Sequence, residues 1–525
     1  MAAAMIATAD IRQWLRDAAP GAQLTLDSRR VHAGDVFIAC PGESGDGRHY
    51  IQQAIEAGAS AVLFDDSDDF QWDDNFSLKH LAVHNLAQLA GRIAHDWYGQ
   101  PDRDMLSVAV TGTNGKTSCT QWLGQALSLQ RIPTAVVGTL GIGLWRNGAS
   151  GLFQATGFTT PDAVQLHREL AEQKKQGALA LAIEASSIGL VQRRLHELHV
   201  DVAVFTNLSR DHLDFHGTME AYEAAKMRLF DWPGLKQAVI NLDDPMGRRL
   251  VTHLRANHPN VLVTGYSIEP DQLPIVPQGV TLLSATDLRV GQQGTSFMMH
   301  SPVSQSTVRS QLIGRFNVSN VLAIAGVLIS QGMAWPTVIS ALESLVAVPG
   351  RMQQLGGVDA PLAVIDYAHT PDALEKALQT LHPVARARQG ELWCVFGCGG
   401  DRDPGKRASM GAAALLADHI IVTSDNPRSE DPSVIIAQIT AGADSAASAG
   451  RSSAANSTGT KLQVIEDRAS AILHGIRHAG KNDVVLVAGK GHEDYQEIKG
   501  RRLAFRDADH AALALATRAT RNGGH

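Results

Sequence analysis

Lys116 and Thr117 close a glycine loop, Gly112-Thr-Asn-Gly-Lys-Thr117, that follows an apolar run and precedes a helical pattern. That composition suits the phosphates of a nucleotide. Backbone N–H groups of Gly112, Thr113, Asn114, Gly115 and Ser118 can point at an anion, and the helix N-terminus adds positive potential. Lys116 would reach the β/γ-phosphates and Thr117 would ligate Mg²⁺. The general pattern G-x-x-x-x-G-K-[ST] wants a glycine where this chain has Val110, so the loop is a shortened form. Two further positions fall at strand ends. Glu184 ends Ala182-Ile-Glu184, and it is either a metal ligand or a cap for the next helix. His212 lies in Asn207-Leu-Ser-Arg-Asp-His-Leu-Asp214, and it is either a metal ligand or a loop histidine bonded to backbone. Mg²⁺ prefers oxygen ligands, so His212 is the less usual member of the set. Lys226, in Tyr222-Glu-Ala-Ala-Lys226, reads from spacing alone as a solvated helix lysine.

A second group of polar loops lies towards the C-terminus. Asp366-Tyr-Ala-His-Thr-Pro-Asp372 starts a helix with Pro371 near its first position. Phe396-Gly-Cys-Gly-Gly-Asp-Arg-Asp403, Asp425-Asn-Pro-Arg428 and Gly489-Lys-Gly-His-Glu493 also follow strand-like runs. Each alone reads as an ordinary turn. Together, at one edge of one sheet, they read as a binding rim.

The elements that must position these residues alternate strand and helix, which predicts an α/β fold with parallel sheets and ligands at strand carboxyl ends. The first unit, residues 1–101, carries strands near 34–40 and 61–64 and helices over 51–57 and 86–97. Its acidic stretch, Asp65–Asp74, reads as a solvated loop. The second unit, 102–349, carries the phosphate-loop strand and further strands at 134–138, 178–184, 202–206 and 237–241. Helices are predicted over 161–176, 218–230 and 315–330, and 267–313 reads as a small β-rich lobe. In the phosphate-loop helix, Cys119, Trp122, Leu123, Ala126 and Leu127 make one apolar face. The third unit, 350–525, is a second doubly wound, Rossmann-like domain with strands near 362–366, 391–396, 419–423, 461–465 and 484–488. Ala441–Gly459, rich in Ala, Ser and Gly, reads as a disordered surface insertion. No internal repeat is evident.

Composition excludes several classes. A net charge of −7 gives no basic footprint for nucleic acid. Apolar runs are too short to span a bilayer, and the N-terminus lacks the basic region of a signal peptide. Four cysteines in 525 residues make no disulfide framework, and Cys394 and Cys398 read as core rather than metal ligands. A cytoplasmic monomer is expected.

The motifs Gly112–Thr117, Thr159-Thr-Pro-Asp162, Asn207–Asp214, Tyr222–Lys226, Asp366–Asp372 and Gly489–Glu493 together resemble the Mur ligases of peptidoglycan synthesis, over nearly the whole chain. The resemblance implies three domains: a small uridine-binding domain, a central ATP-binding domain and an amino-acid-binding domain. It implies an ATP- and Mg²⁺-dependent amide ligase adding meso-diaminopimelate to the D-Glu γ-carboxylate of UDP-MurNAc-L-Ala-D-Glu through an acyl phosphate. Lys226 would be carbamylated and would hold metal with Thr117, Glu184 and His212. Asn317, Arg351 and Asp366 would join the loop at the nucleotide. Leu26, Ser28, Glu43, Ser44 and Gly45, with Thr159, Thr160, Ser186, Gln192 and Arg194, would contact the UDP-sugar-peptide. Arg402, Asp425, Asn426, Pro427, Arg428, Gly489 and Glu493 would hold diaminopimelate. Phe158 departs from relatives that carry a polar residue before the two threonines. An L-lysine-adding relative is the nearest rival, and a bare L-lysine is expected to leave Arg428 buried and unpaired.

Overall fold

The computed structural model describes residues 7–42, 45–67, 70–273, 276–291, 294–449 and 461–522, with side chains to 518. Near the N-terminus, four short parallel strands pair in the order Leu24–Thr25, Val36–Ala39, Ala61–Asp65, Lys79–Val83. Leu24, Val36, Ile38, Ala61 and Leu63 pack one face against Ile11 and Leu15 of the helix Thr8–Ala18 and against Leu86 and Ile93 of Leu86–Trp97. The acidic stretch is not simply solvated. Asp65 ends a strand and is buried, and Phe70 and Trp72 pack on Phe64 with ring centroids 5.6 and 5.1 Å away. Apolar residues interleaved with the acids pack this segment against a core built by Phe37, Ile51, Val62 and Phe64.

The middle of the chain builds one eleven-stranded sheet. Its parallel centre runs Thr134–Gly138, Ala180–Glu184, Leu106–Thr111, Val202–Phe205, Gln237–Asn241, Leu262–Ser267, Val280–Gly291. The β-rich segment expected as a small lobe of this unit is β-rich and continues the same sheet. Val280–Gly291 pairs parallel with Leu262–Ser267, and Gly294–His300 and Gln305–Ser310 follow antiparallel. Their buried residues Leu283, Phe297 and Val308 share a core with the central strands and with the helix Arg315–Ser330.

The last unit is a six-stranded sheet in the order Gln353–Gly356, Leu362–Asp366, Val484–Ala488, Leu392–Phe396, His419–Val422, Lys461–Val464, parallel except for the first strand. Cys394 and Cys398 are free and buried in its core, and burial pushes the Cys398 thiol up to about 12. The expected disordered insertion is overturned over its first half. The helix Pro432–Ser448 runs through it, with Gly442, Ala443 and Ala446 buried against Gly405–Ala414, because small residues let two helices approach. The remainder, 450–459, lies outside the described residues.

The first two units are stitched together by polar contacts. Arg30 donates to Gln165 Oε1 (3.0 Å) and Thr156 O (3.2 Å). Behind them, His95 Nε2 bonds Asp102 Oδ1 at 2.9 Å, and Asp102 Oδ2 accepts the His199 N–H. The His167 ring lies tilted against His95, centroids 4.8 Å apart, and its Nε2 bonds His196 O at 2.9 Å. Desolvation lowers the His167 pKa to about 4.

Candidate functional site

The phosphate loop is fixed by the neighbouring strand's end. The Thr113 N–H donates to Asn207 O (2.8 Å), the Asn114 N–H to Asn207 Oδ1 (3.0 Å), and Thr206 Oγ1 to Asn114 O (2.6 Å). Thr113 Oγ1 lies 3.1 Å from the Tyr222 hydroxyl and donates to Ser209 O. Gly115 caps the helix Lys116–Leu129 at φ +88°, where a Cβ would sit 2.6 Å from Asn320 Oδ1. Only glycine accommodates both that backbone and that neighbour. Asn320, at the same loop, was not singled out in the sequence. The helix itself departs from expectation: Thr117 to Ser128 are all buried, so it has no solvent face. Its polar residues are satisfied inside, Gln125 by Ser344 O and Gln121 by Trp145 Nε1.

Around this loop cations lie within reach of one another's charge. Lys116 Nζ donates to Gly112 O (2.8 Å) and Thr113 O (2.9 Å). Its pKa is lowered by burial and by Arg351, against the opposing charges of Glu184 and Asp211. Lys226 is not solvated. It is buried, its Nζ lies 4.2 Å over the Tyr222 ring, and burial with the charge of Lys116 pushes it well below the usual lysine range. The strip of helix carrying it packs inward, with Tyr222 and Ala225. Thr117 Oγ1 accepts from Arg351 Nη2 at 3.2 Å, and the Arg351 guanidinium lies 4.4 Å over Tyr367.

Glu184 is not a helix cap. Its carboxylate accepts from the Thr139 N–H (2.8 Å) and Thr139 Oγ1 (3.2 Å), and Ser186 caps the next helix instead. Thr139 Oγ1 reaches Thr159 Oγ1 at 3.2 Å, so Glu184, Thr139 and Thr159 form one chain. Thr139 is a site neighbour that sequence spacing gave no signal for. His212 sits at φ +52° before a short helix. Burial pushes its pKa down, with Lys116 and Lys226 adding and Asp211 opposing. Asp211 was also passed over. Burial raises its pKa, but His212, His369 and Lys116 outweigh that and hold it below the usual carboxylate range.

The residues predicted for the sugar-peptide cluster in two places. Thr160 Oγ1 donates to Glu184 O (2.7 Å) and lies 2.9 Å from Ser186 Oγ; Arg194 donates to Thr160 O (2.9 Å). Gln192 closes the helix Ser187–Val191. Phe158, the departure noted above, is exposed beneath the Arg194 guanidinium at 4.5 Å, a cation–π contact. Ser28 donates to Gln53 Oε1, Leu26 packs on the first unit's core, and Gly45 pairs with Gly42. Glu43 and Ser44 lie outside the described residues.

Asp366 ties together the first loops of the C-terminal sheet. Its carboxylate accepts from the Met352 and Ala368 N–H groups (2.8 and 2.9 Å), and its carbonyl accepts from the Gly489 N–H. Burial raises its pKa. Asn317 Nδ2 donates to Ile313 O, just before the start of its helix.

The C-terminal rim is charge-compensated. Asn426 Nδ2 donates to Glu493 Oε2 (2.8 Å). Arg428 is at φ +52° and donates to Gly400 O (2.7 Å), with Glu497 at 3.8 Å. The expectation that Arg428 stands unpaired without a distal carboxylate is therefore overturned, because a backbone carbonyl supports it. Gly400, against which a Cβ would collide with Pro427 O, brings the two loops together. Asp425 is buried beside Gly489, 4.0 Å from Arg468, and Arg468 is paired with Asp507 at 2.7 Å. Arg402 is exposed on the 397–404 loop.

Three family models match the chain: Mur ligase family, catalytic domain, over 22–98; Mur ligase middle domain over 110–328; and Mur ligase, glutamate ligase domain, over 350–491. The chain is a Mur ligase. It is 57% identical over 512 residues to the UDP-N-acetylmuramoyl-L-alanyl-D-glutamate--2,6-diaminopimelate ligase of Janthinobacterium sp. (strain Marseille), covering 98% of this chain and 97% of the relative. The ligase of the same name from Ralstonia nicotianae is 49% identical, covering 97% and 96%. A solved structure of a ligase with that name superposes with a TM-score of 0.63 at 35% identity, covering 96% and 99%. The MurF ligase of Thermotoga maritima in complex with ADP has a TM-score of 0.62 at 19% identity, covering 95% and 98%, and shows the shared fold. The Mur ligase fold thus brings the predicted phosphate-loop residues to one sheet edge and the predicted amino-acid residues to another. No helix among the described residues is long and apolar enough to cross a membrane.

Proposed function

We propose that this Mur ligase, acting in the cytoplasm, joins meso-diaminopimelate to the γ-carboxylate of D-glutamate in UDP-MurNAc-L-Ala-D-Glu, with ATP converted to ADP and phosphate. The observation that carries the reading is the 57% identity along nearly the whole chain to a ligase of that name, with the phosphate loop and the rim intact. In the first half-reaction the γ-carboxylate oxygen attacks the γ-phosphorus, the bond to ADP breaks, and an acyl phosphate forms. In the second, the neutral amine of diaminopimelate attacks the acyl carbon and phosphate leaves. The obstacle to the first step is two anions meeting, so fixed positive charge is the main requirement.

Lys116, with Arg351 behind it at Thr117, supplies that charge at the loop. Thr117, Glu184, His212 and Lys226 fit a metal in chemical terms: a hydroxyl and a carboxylate of hard oxygen type, a histidine held towards its neutral form, and an amine held towards the neutral form that reacts with CO₂. Mg²⁺ there, with Lys226 as its carbamate, would neutralise charge on the phosphates. Asn317, Arg351 and Asp366 take the nucleotide. Leu26 and Ser28 take the uridine end, and Thr159, Thr160, Ser186, Gln192 and Arg194 the sugar-peptide. Arg428 reads the distal carboxylate of diaminopimelate and Glu493 its distal ammonium. A phosphate-release assay tests the reading. Release should require ATP, UDP-MurNAc-L-Ala-D-Glu and diaminopimelate together, with mass spectrometry showing the joined product. Release without the amino acid, or no joined product, would refute it.

A further inference from the structure

Lys490 is a fully buried lysine whose charge has two uses. Its Nζ donates to Glu493 Oε2 at 2.8 Å and to Asn426 Oδ1 at 3.0 Å. Asn426 Nδ2 in turn donates to the same Glu493 oxygen at 2.8 Å. The three side chains close a triangle. The Glu497 N–H adds a second donor to Asn426 Oδ1 at 2.9 Å, which fixes the amide's orientation. Glu493 Oε2 is thus saturated from behind by an ammonium and an amide. Oε1 makes no hydrogen bond to the described residues, and the Glu493 side chain is 19% exposed. A carboxylate held in this way presents one oxygen in one direction.

We propose that Lys490 is a positioning and specificity-determining residue: it aims Glu493 and Asn426, and its charge tunes the rim for a zwitterionic amino-acid terminus over a bare ammonium. The proposal rests on the functional reading above. The electrostatic argument is direct. With Lys490 beside it, Glu493 belongs to a neutral pair, while Arg428 shares one Glu497 oxygen with Arg502, at 3.8 and 3.9 Å. A terminus bearing both a carboxylate and an ammonium, itself neutral, matches such a rim. Remove the Lys490 charge and Glu493 becomes an uncompensated, half-sheltered anion, which favours a lone ammonium such as that of L-lysine. Lys490 touches no reacting atom in this scheme and works through its two partners.

Lys490→Met keeps the length and removes the charge. Hydrogen bonds to charged groups set the scale, so KM for meso-diaminopimelate should rise about 10–100-fold. KM for ATP should stay within about twofold, and the ratio of diaminopimelate to L-lysine use should fall. An unchanged KM and ratio would overturn the proposal. Should Lys490→Met fail to fold, as a melting curve would show, Glu493→Gln is compared with the double variant Lys490→Met/Glu493→Gln, which carries no unpaired buried charge. Because Lys490 acts through Glu493, the two should share a diaminopimelate KM within about threefold. A much higher KM in the double variant, or failure of both Lys490 variants to fold, makes the lysine structural and overturns the proposal. Wild-type protein that uses no diaminopimelate would refute the functional reading instead.

Discussion

The phosphate loop and the amino-acid rim handle buried charge in opposite ways. At the rim, cations are paired within the protein: Lys490 with Glu493, Arg468 with Asp507, Arg407 with Glu430. At the loop, Lys116, Lys226 and Arg351 crowd one another, and their mutual repulsion adds to burial in lowering the lysine pKa values. Asp211 and Glu184 offset this only in part. The first arrangement fixes directions and so reads shape. The second holds positive potential suited to a polyanion and pushes one amine well below the usual lysine range. In the proposed function, selectivity and reactivity are thereby divided between two sheets, which the Arg351–Thr117 bond links.

The largest effect should come from the loop. Lys116→Met is expected to lower turnover by about 10³-fold, the scale of one lost charge-stabilising donor, while binding of the UDP-sugar-peptide persists. Lys226→Ala should likewise lose most activity with ATP still bound. Steady-state rates and nucleotide titrations check both, and wild-type rates in either variant would break the contrast. A smaller, selective effect is expected at the rim. Arg428→Ala should raise KM for diaminopimelate about 10–100-fold with ATP affinity little changed; equal losses for every substrate would mean that Arg428 only braces its turn on Gly400 O.

The smallest effect lies away from both sites, at His167. Its folded pKa of about 4 is below the ordinary 6.5 because burial, with His95 and His196, opposes its charge, while the bond to His196 O and the charge of Asp102 oppose the shift. As pH falls below 6.5 the unfolded chain takes up the proton first. The contribution is therefore intact above about pH 6.5 and is lost as pH falls through about 4, by about 3 kcal/mol at most. His167→Gln should flatten the dependence of melting temperature on pH in that window. Parallel curves for both proteins would contradict this.

How much of this was readable in advance follows from the kind of signal. Buried parallel strands such as Leu362–Asp366 and Val484–Ala488 are continuous apolar runs between turn residues, and their placement was legible. The helix Lys116–Leu129 showed its apolar stripe, but not that its polar side would also be enclosed. Trp122 and Gln125 bond Val346 O and Ser344 O, more than two hundred residues away, and no local pattern carries that. Edge strands such as Gln353–Gly356 and the hairpin Tyr495–Ile498 with Arg501–Ala504 were missed because they are short and half-exposed. Most of the candidate site residues lie in motifs, although a motif did not single out every member. Thr139, Asp211 and Lys490 were passed over, since each gains its role from a partner distant in sequence or from a field summed over several loops.

Competition between amino acids tests the central claim most directly. With equal meso-diaminopimelate and L-lysine, and with ATP, Mg²⁺ and UDP-MurNAc-L-Ala-D-Glu in excess, the two products are separated by mass and counted. Gly400 O and Glu497 keep Arg428 supported when a ligand lacks the distal carboxylate, so discrimination should fall short of the 10⁴–10⁵-fold typical of a stranded buried partner. The diaminopimelate product should still exceed the lysine product by at least about 100-fold, the scale of a lost charged hydrogen-bond pair. Equal amounts of the two products would contradict the account.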